Sequence, residues 1–101
     1  MIFIYVPCQS VDEAKTIAKL LVEKRMAGKI DIMPTQSVFR GIDGIKETSG
    51  ATMMIKTMDK NVQGIEDIVR EHHQNGIPCV ATLMLYRINH EFKEWLITAT
   101  G

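Results

Sequence analysis

The chain opens on Ile2-Phe3-Ile4-Tyr5-Val6, apolar at every position. That pattern belongs to a strand covered on both faces or central in a sheet, and Pro7 is expected to close it. Ser10-Val11-Asp12-Glu13 then reads as a capping box, with Ser10 as the cap and Glu13 reaching back. Apolar residues recur at Val11, Ala14, Ile17, Ala18, Leu21 and Val22, the stripe of an amphipathic helix. Lys15, Lys19, Glu23 and Lys24 fall largely outside it. Gly28 follows the stripe, where a helix is expected to stop.

From Lys29 to Thr57 the period changes to that of strands. Ile30-Asp31-Ile32 alternates, Pro34 is expected to interrupt, and Ser37-Val38-Phe39-Arg40 resumes. Asp43-Gly44 signals a hairpin turn, with Gly44 suited to positive φ. The return arm runs through Ile45-Lys46-Glu47 to Ala51-Thr52-Met53-Met54-Ile55-Lys56-Thr57. Gly50 within it implies a bulge or a close approach of two backbones. The arm is long for a chain of 101 residues, so part of the hairpin should project and need a cover. A second amphipathic helix carries Val62, Ile65, Ile68, Val69 and His72 on one face, with Asp59 or Asn61 as its cap and Asn75-Gly76 as its stop. Cys79 to Tyr86 predicts a last long strand. Asn89 can cap a short terminal helix from His90 to Thr98, with Phe92, Trp95 and Leu96 on one side.

The predicted order is strand, helix, strand, strand, helix, strand and a short helix. It gives an α+β fold, a ferredoxin-like βαββαβ sandwich with a long β-hairpin and a short C-terminal helix, in a single domain over 1–101. Both main helices then lie on one face of a four-stranded antiparallel sheet. The other face is bare, yet the strands are apolar on both sides, so that face is expected to pack against another subunit.

Composition narrows the function classes. Hydrophobic residues make up 46%, enough for a packed core. Lys plus Arg is 12 and Asp plus Glu is 12, a formal net charge of zero. Domains that neutralise nucleic-acid phosphates or anionic lipid usually carry a basic excess, so no nucleic acid and no membrane partner is expected. Two cysteines, Cys8 and Cys79, are too few for a secreted disulfide framework. No basic leader precedes the first strand, and the expected location is the cytoplasm.

Several fragments together resemble the CutA divalent-cation tolerance proteins. They are the first strand ending in Val6-Pro7, the helix from Ala14-Lys15-Thr16-Ile17-Ala18 to Leu21-Val22-Glu23-Lys24-Arg25-Met26-Ala27, and Ile30-Asp31-Ile32-Met33-Pro34. Met54-Ile55-Lys56-Thr57, Ile77-Pro78, Asn89, Glu91-Phe92 and Glu94-Trp95-Leu96 complete the series. The resemblance implies a ferredoxin-like fold in a tight homotrimer whose long hairpins wrap neighbouring subunits. It implies a non-enzymatic role in tolerance of divalent metal ions, by weak copper or zinc binding.

The chain departs from the family pattern where function is concerned. Gly28 or Lys29 stands where the family commonly carries a Cys, and Gly41-Ile42 follows Arg40 where a Trp is usual. The family run His-Pro-Tyr-Glu-Val-Pro-Glu is here His73-Gln74-Asn75-Gly76-Ile77-Pro78-Cys79. His73 and Pro78 remain, but both acidic positions are gone, which makes the chain a divergent relative.

The topology brings the candidate chemistry together. If the last strand pairs antiparallel with the first, Cys8 lies near Cys79, with His72 and His73 at the same edge. Thiolates and imidazole suit zinc or copper(I), so Cys79, His73 and Cys8 are the candidate metal ligands. The competing reading is two packed free cysteines and an ordinary helix-facing His72. Met53, Met54 and Met84 sit in apolar strands and read as core and interface fillers. Lys56 and Asp59, with Arg40 and Glu47 on the hairpin, are candidates for a polar pocket between subunits. No nucleophile with a placed base, and no phosphate-binding loop, points to an enzyme. Two other readings stay open. One is a module like the PII signalling proteins, binding a small ligand in clefts between subunits, although the short Asp43-Gly44 turn speaks against their long loop. The other is a structural trimer that binds partners on its surface.

Overall fold

The computed structural model describes every residue of the chain except Asn75. The elements are β1 (Ile2–Cys8), α1 (Val11–Glu23), β2 (Lys29–Gly41), β3 (Gly44–Thr57), α2 (Val62–His72), β4 (Ala81–Met84) and α3 (His90–Thr100). The strands form one sheet in the order β2-β3-β1-β4, every neighbouring pair antiparallel. This is the ferredoxin-like arrangement expected from the sequence.

The period-two alternation of β1 sends Ile2, Ile4, Val6 and Cys8 to one side. Ile4 lies opposite Ile55 and Val6 opposite Met53, so the inner strands present one continuous apolar surface. Ala14, Ile17, Ala18 and Leu21 of α1 and Ile65 and Val69 of α2 pack on it in one buried cluster. Ile4, Met53, Ile55, Leu21 and Ile65 are completely buried. The stripe predicted for α1 is narrower than drawn, because Val11 and Val22 at its ends remain exposed.

The start of α1 is capped much as the sequence implies. Ser10 Oγ accepts the Glu13 N–H at 3.0 Å. The Glu13 carboxylate, however, accepts the N–H of Gln9 at 3.2 Å, one residue before the cap. The end differs from expectation. The helix stops at Glu23, not at Gly28, in a Schellman motif: Met26 N–H donates to Leu21 O at 2.9 Å and Arg25 N–H to Val22 O at 3.0 Å. Arg25 holds the left-handed position at φ 59°, which glycine more often fills. Gly28 serves a different end. A Cβ there would lie 2.5 Å from Leu96 Cδ1 and 3.1 Å from Trp95 Cζ3, so its missing side chain lets α3 pack against the chain.

Neither proline ends a strand, against expectation. Pro7 lies inside β1, opposite Thr52, but β4 pairs only with Ile2 to Tyr5. At Pro7 the strand has one neighbour, and a missing N–H there breaks no second ladder. Pro34 continues through β2, which is an edge strand, for the same reason. The hairpin turns over Ile42 and Asp43, with Gly41 opposite Gly44 and Gly44 at φ 119°. Gly50 marks a close backbone approach, since a Cβ there would meet the Cys8 carbonyl oxygen at 2.4 Å.

The expected side-chain caps of the later helices are not made. Asn61 precedes α2 but its Nδ2 donates to Thr57 Oγ1 at 3.2 Å, and Asp59 opens a 3-10 turn over Asp59–Asn61. Asn89 precedes α3 and its Nδ2 donates instead to Glu91. Helix α2 ends at His72, while Asn75, expected to help stop it, lies outside the described residues. The last strand is four residues long, not the eight from Cys79 to Tyr86. It forms only where β1 offers a partner, and Tyr86 is fully exposed.

Candidate functional site

Where β1 ends and α2 gives way to the segment before β4, a cleft of about 670 Å³ opens. Pro7 and Cys8 line it from β1, His73, Ile77 and Cys79 from beyond α2, and the hairpin adds Phe39. The antiparallel pairing of β1 with β4 puts Cys8 and Cys79 at the same end of the sheet. The structure therefore gathers Cys8, His73 and Cys79 around one cavity. Among the described residues, no three His, Cys, Asp or Glu side chains converge closely enough to hold a metal ion. The three candidates share a cleft without forming a ready ligand set within one chain.

The two thiols have different surroundings, and both are free. Cys8 is buried on the helix-covered side, and its Sγ lies 3.8 Å from the Val6 carbonyl oxygen. Burial, and then the negative Glu13 carboxylate beside it, pushes its pKa up to about 11. At neutral pH it is a thiol, so any metal taken there must displace a proton, which weakens binding. Cys79 is exposed.

Glu13 is a residue that sequence reasoning assigned only to capping. Its side chain is 3% exposed, and Oε1 lies 3.7 Å from Nδ1 of His73, whose side chain is 10% exposed. Its second oxygen, Oε2, is buried without a hydrogen-bond partner. The Ser-x-x-Glu spacing marked the residue, but its burial depends on α1 meeting the end of α2. His72, placed with His73 in the sequence reading, sits elsewhere: its Nδ1 is 2.9 Å from the Ile68 carbonyl oxygen.

The polar group proposed around Lys56 does not assemble within the chain. Lys56 is buried, pairs with Asp31 and lies over the Phe3 ring at 5.5 Å from its centroid. That hydrogen bond holds the Asp31 carboxyl below its usual range. Asp59 instead accepts the terminal ammonium of Met1 at 2.7 Å. Arg40 and Glu47 are exposed on the hairpin.

Fold and cleft together define a ferredoxin-like α+β protein with a bare sheet face and a thiol-lined cavity. The family model for the CutA1 divalent ion tolerance protein matches residues 2–99, and the chain belongs to that family. The divalent-cation tolerance protein CutA of Archaeoglobus fulgidus is 32% identical over 94 residues, covering 93% of this chain and 92% of its own. Its counterpart from Thermus thermophilus is 30% identical over 102 residues, covering 100% and 97%. The solved structure of the periplasmic divalent cation tolerance protein CutA from Archaeoglobus fulgidus superposes with a TM-score of 0.94 at 30% identity, over 99% of this chain and 98% of that one. These relatives carry no enzymatic name. No helix among the described residues is long and apolar enough to cross a membrane.

Proposed function

We propose that the chain acts as a homotrimeric divalent-cation tolerance protein without enzymatic activity, binding copper or zinc weakly at the cleft of Cys8, His73 and Cys79. The observation that carries this reading is the apolar sheet face left uncovered by the chain's own helices. Tyr5 is 36%, Met33 42% and Leu83 43% exposed, and Val38, Ile42 and Ile45 stand out on the hairpin. Surface of this kind on a small chain marks an interaction site, and self-association covers it without a further partner. Family membership supports the metal connection. Free thiols at Cys8 and Cys79 suit a reducing compartment, so the cytoplasm is the proposed location.

Two measurements test the two halves. Sedimentation equilibrium of the reduced protein at micromolar concentration should give a trimer of 11.4 kDa chains, and a monomer would contradict the assembly. Calorimetric titration of metal-free protein with zinc and with copper(I) should show binding that a Cys8→Ser, Cys79→Ser double variant loses. Binding unchanged in the variant, or no binding to the unaltered protein, would remove the thiol cleft from the account.

A further inference from the structure

Cys8 and Cys79 stand far apart in the sequence, yet both are free and both line one cleft. We propose that they form a redox-active pair, which a small disulfide such as oxidised glutathione closes into an intramolecular Cys8–Cys79 bond. That bond consumes both thiols of the proposed metal site, so oxidation and metal binding exclude one another. The inference rests on the same cleft but not on its metal, because bond formation is read by mass in metal-free protein.

The sheet sets the two residues side by side. The ladder between β1 and β4 ends with Tyr5 opposite Ala81. The same register carried two residues further brings Cys79 level with Pro7, next to Cys8. Neighbouring strands run about 4.7–4.9 Å apart, and a disulfide joins Cα atoms about 4.4–6.8 Å apart. In a regular ladder the two thiols would nevertheless face opposite sides of the pleat, because successive side chains alternate. The chain leaves the ladder before that constraint applies. Residues 77–80 form no strand, and Gly76 at φ 74° precedes them. No ladder holds Cys79 to one face or away from β1, and it lines from beyond α2 the cavity that Cys8 lines from β1.

The two thiols suit the two halves of a thiol–disulfide exchange. Cys79 is exposed and meets the oxidant first. Its sulfur attacks glutathione disulfide, the S–S bond breaks, and one glutathione leaves while the other stays on Cys79. Cys8 then attacks the Cys79 sulfur and releases the second glutathione. Each departing thiolate takes up the proton of the protein thiol that displaced it. Two protein thiols are thereby oxidised to one disulfide, and one glutathione disulfide is reduced to two thiols. Cys8 is buried and held as a thiol, which shields it from oxidant in solution. Beside the mixed disulfide it needs no encounter, and the high effective concentration within one cleft offsets its small thiolate fraction. Disulfides of cytosolic proteins are typically transient and redox-sensing, in keeping with the proposed location.

The test is an anaerobic titration of the assembled, reduced, metal-free protein with mixtures of reduced and oxidised glutathione at neutral pH. After an acid quench, the intact chain should be lighter by two hydrogens, and peptide mapping should join the Cys8 peptide to the Cys79 peptide. Cys8→Ser should stop at a glutathione adduct on Cys79, and Cys79→Ser should stay reduced. Cys79 is exposed, so its variant keeps a folded comparison even where Cys8→Ser disturbs the core. A glutathione adduct that persists on Cys79 in the unaltered protein would overturn the proposal, because Cys8 would then be out of reach. Cross-links between chains on a non-reducing gel, or two thiols that stay reduced in excess oxidant, would do the same. Failure of the metal titration leaves these masses untouched, so the two readings stand or fall separately.

Discussion

The two faces of the sheet are made by the same strands and have opposite fates. On one side Ile4 and Ile55 are 0% exposed beneath α1 and α2. On the other, Tyr5 lies between Met54 and Ala81, and Phe3 between Lys56 and Leu83, with no main helix over them. The residue types on both sides are largely apolar; what differs is whether this chain supplies the cover. A strand pattern without alternation therefore reports two apolar faces, and only the count of helices shows that this chain's main helices cover one of them. The hairpin repeats the lesson, since its paired arms extend the molecule to 47 Å along one axis while its tip stays exposed.

The largest effect is expected where the chain closes its own core. Ile4→Ala should cost about 2–5 kcal/mol, measured by denaturant unfolding, because the site between two strands and two helices has little room to collapse. A cost well under 1 kcal/mol would show that the helix-covered face is looser than described. Gly28→Val should cost about 1–3 kcal/mol by driving a side chain into Leu96 and Trp95. An unchanged melting temperature there would mean that α3 moves aside freely.

Smaller effects separate the covered side from the open one. In alkylation at neutral pH, Cys79 should react first and Cys8 lag far behind, because burial holds Cys8 as a thiol with a pKa of about 11. Equal rates by mass spectrometry would break that contrast. Asp31, on the open side, has a folded pKa below its unfolded one. Its pairing with Lys56 should therefore stabilise the fold above the unfolded pKa and be lost as pH falls through the folded value. The effect should be slight, since Asp31 is partly exposed and screened, and Asp31→Asn should flatten the acid limb of a stability–pH curve only a little. The smallest change is a gain: Arg25→Gly should stabilise by about 0.5–1 kcal/mol by relieving the left-handed backbone.

Most of the fold was legible because α1 carries a continuous amphipathic stripe, β1 a short apolar run, and β2 and β3 flank the Asp43-Gly44 turn signal. The misreadings share a cause. Pro7 reads as a strand end and Pro34 as an interruption, yet a proline's effect depends on whether a neighbour needs its N–H, and that is a property of the sheet. Cys79 to Tyr86 looked like a long strand, but pairing lasts only as far as β1 does. At the candidate site, topology placed Cys8 and Cys79 together, whereas the burial of Glu13 depended on a contact between α1 and α2. Glu13 has the local signature of a cap, and nothing local distinguishes a solvated cap from one sealed beside His73.

The central claim is that the second face of the sheet is covered by copies of the same chain. Sedimentation equilibrium of the unaltered protein beside a Tyr5→Glu, Leu83→Glu variant tests it most directly, with circular dichroism to show that both are folded. A trimer that falls to folded monomers of 11.4 kDa in the variant is the predicted result. An unaltered protein that sediments as a monomer, or a variant that assembles as well as its parent, would contradict it.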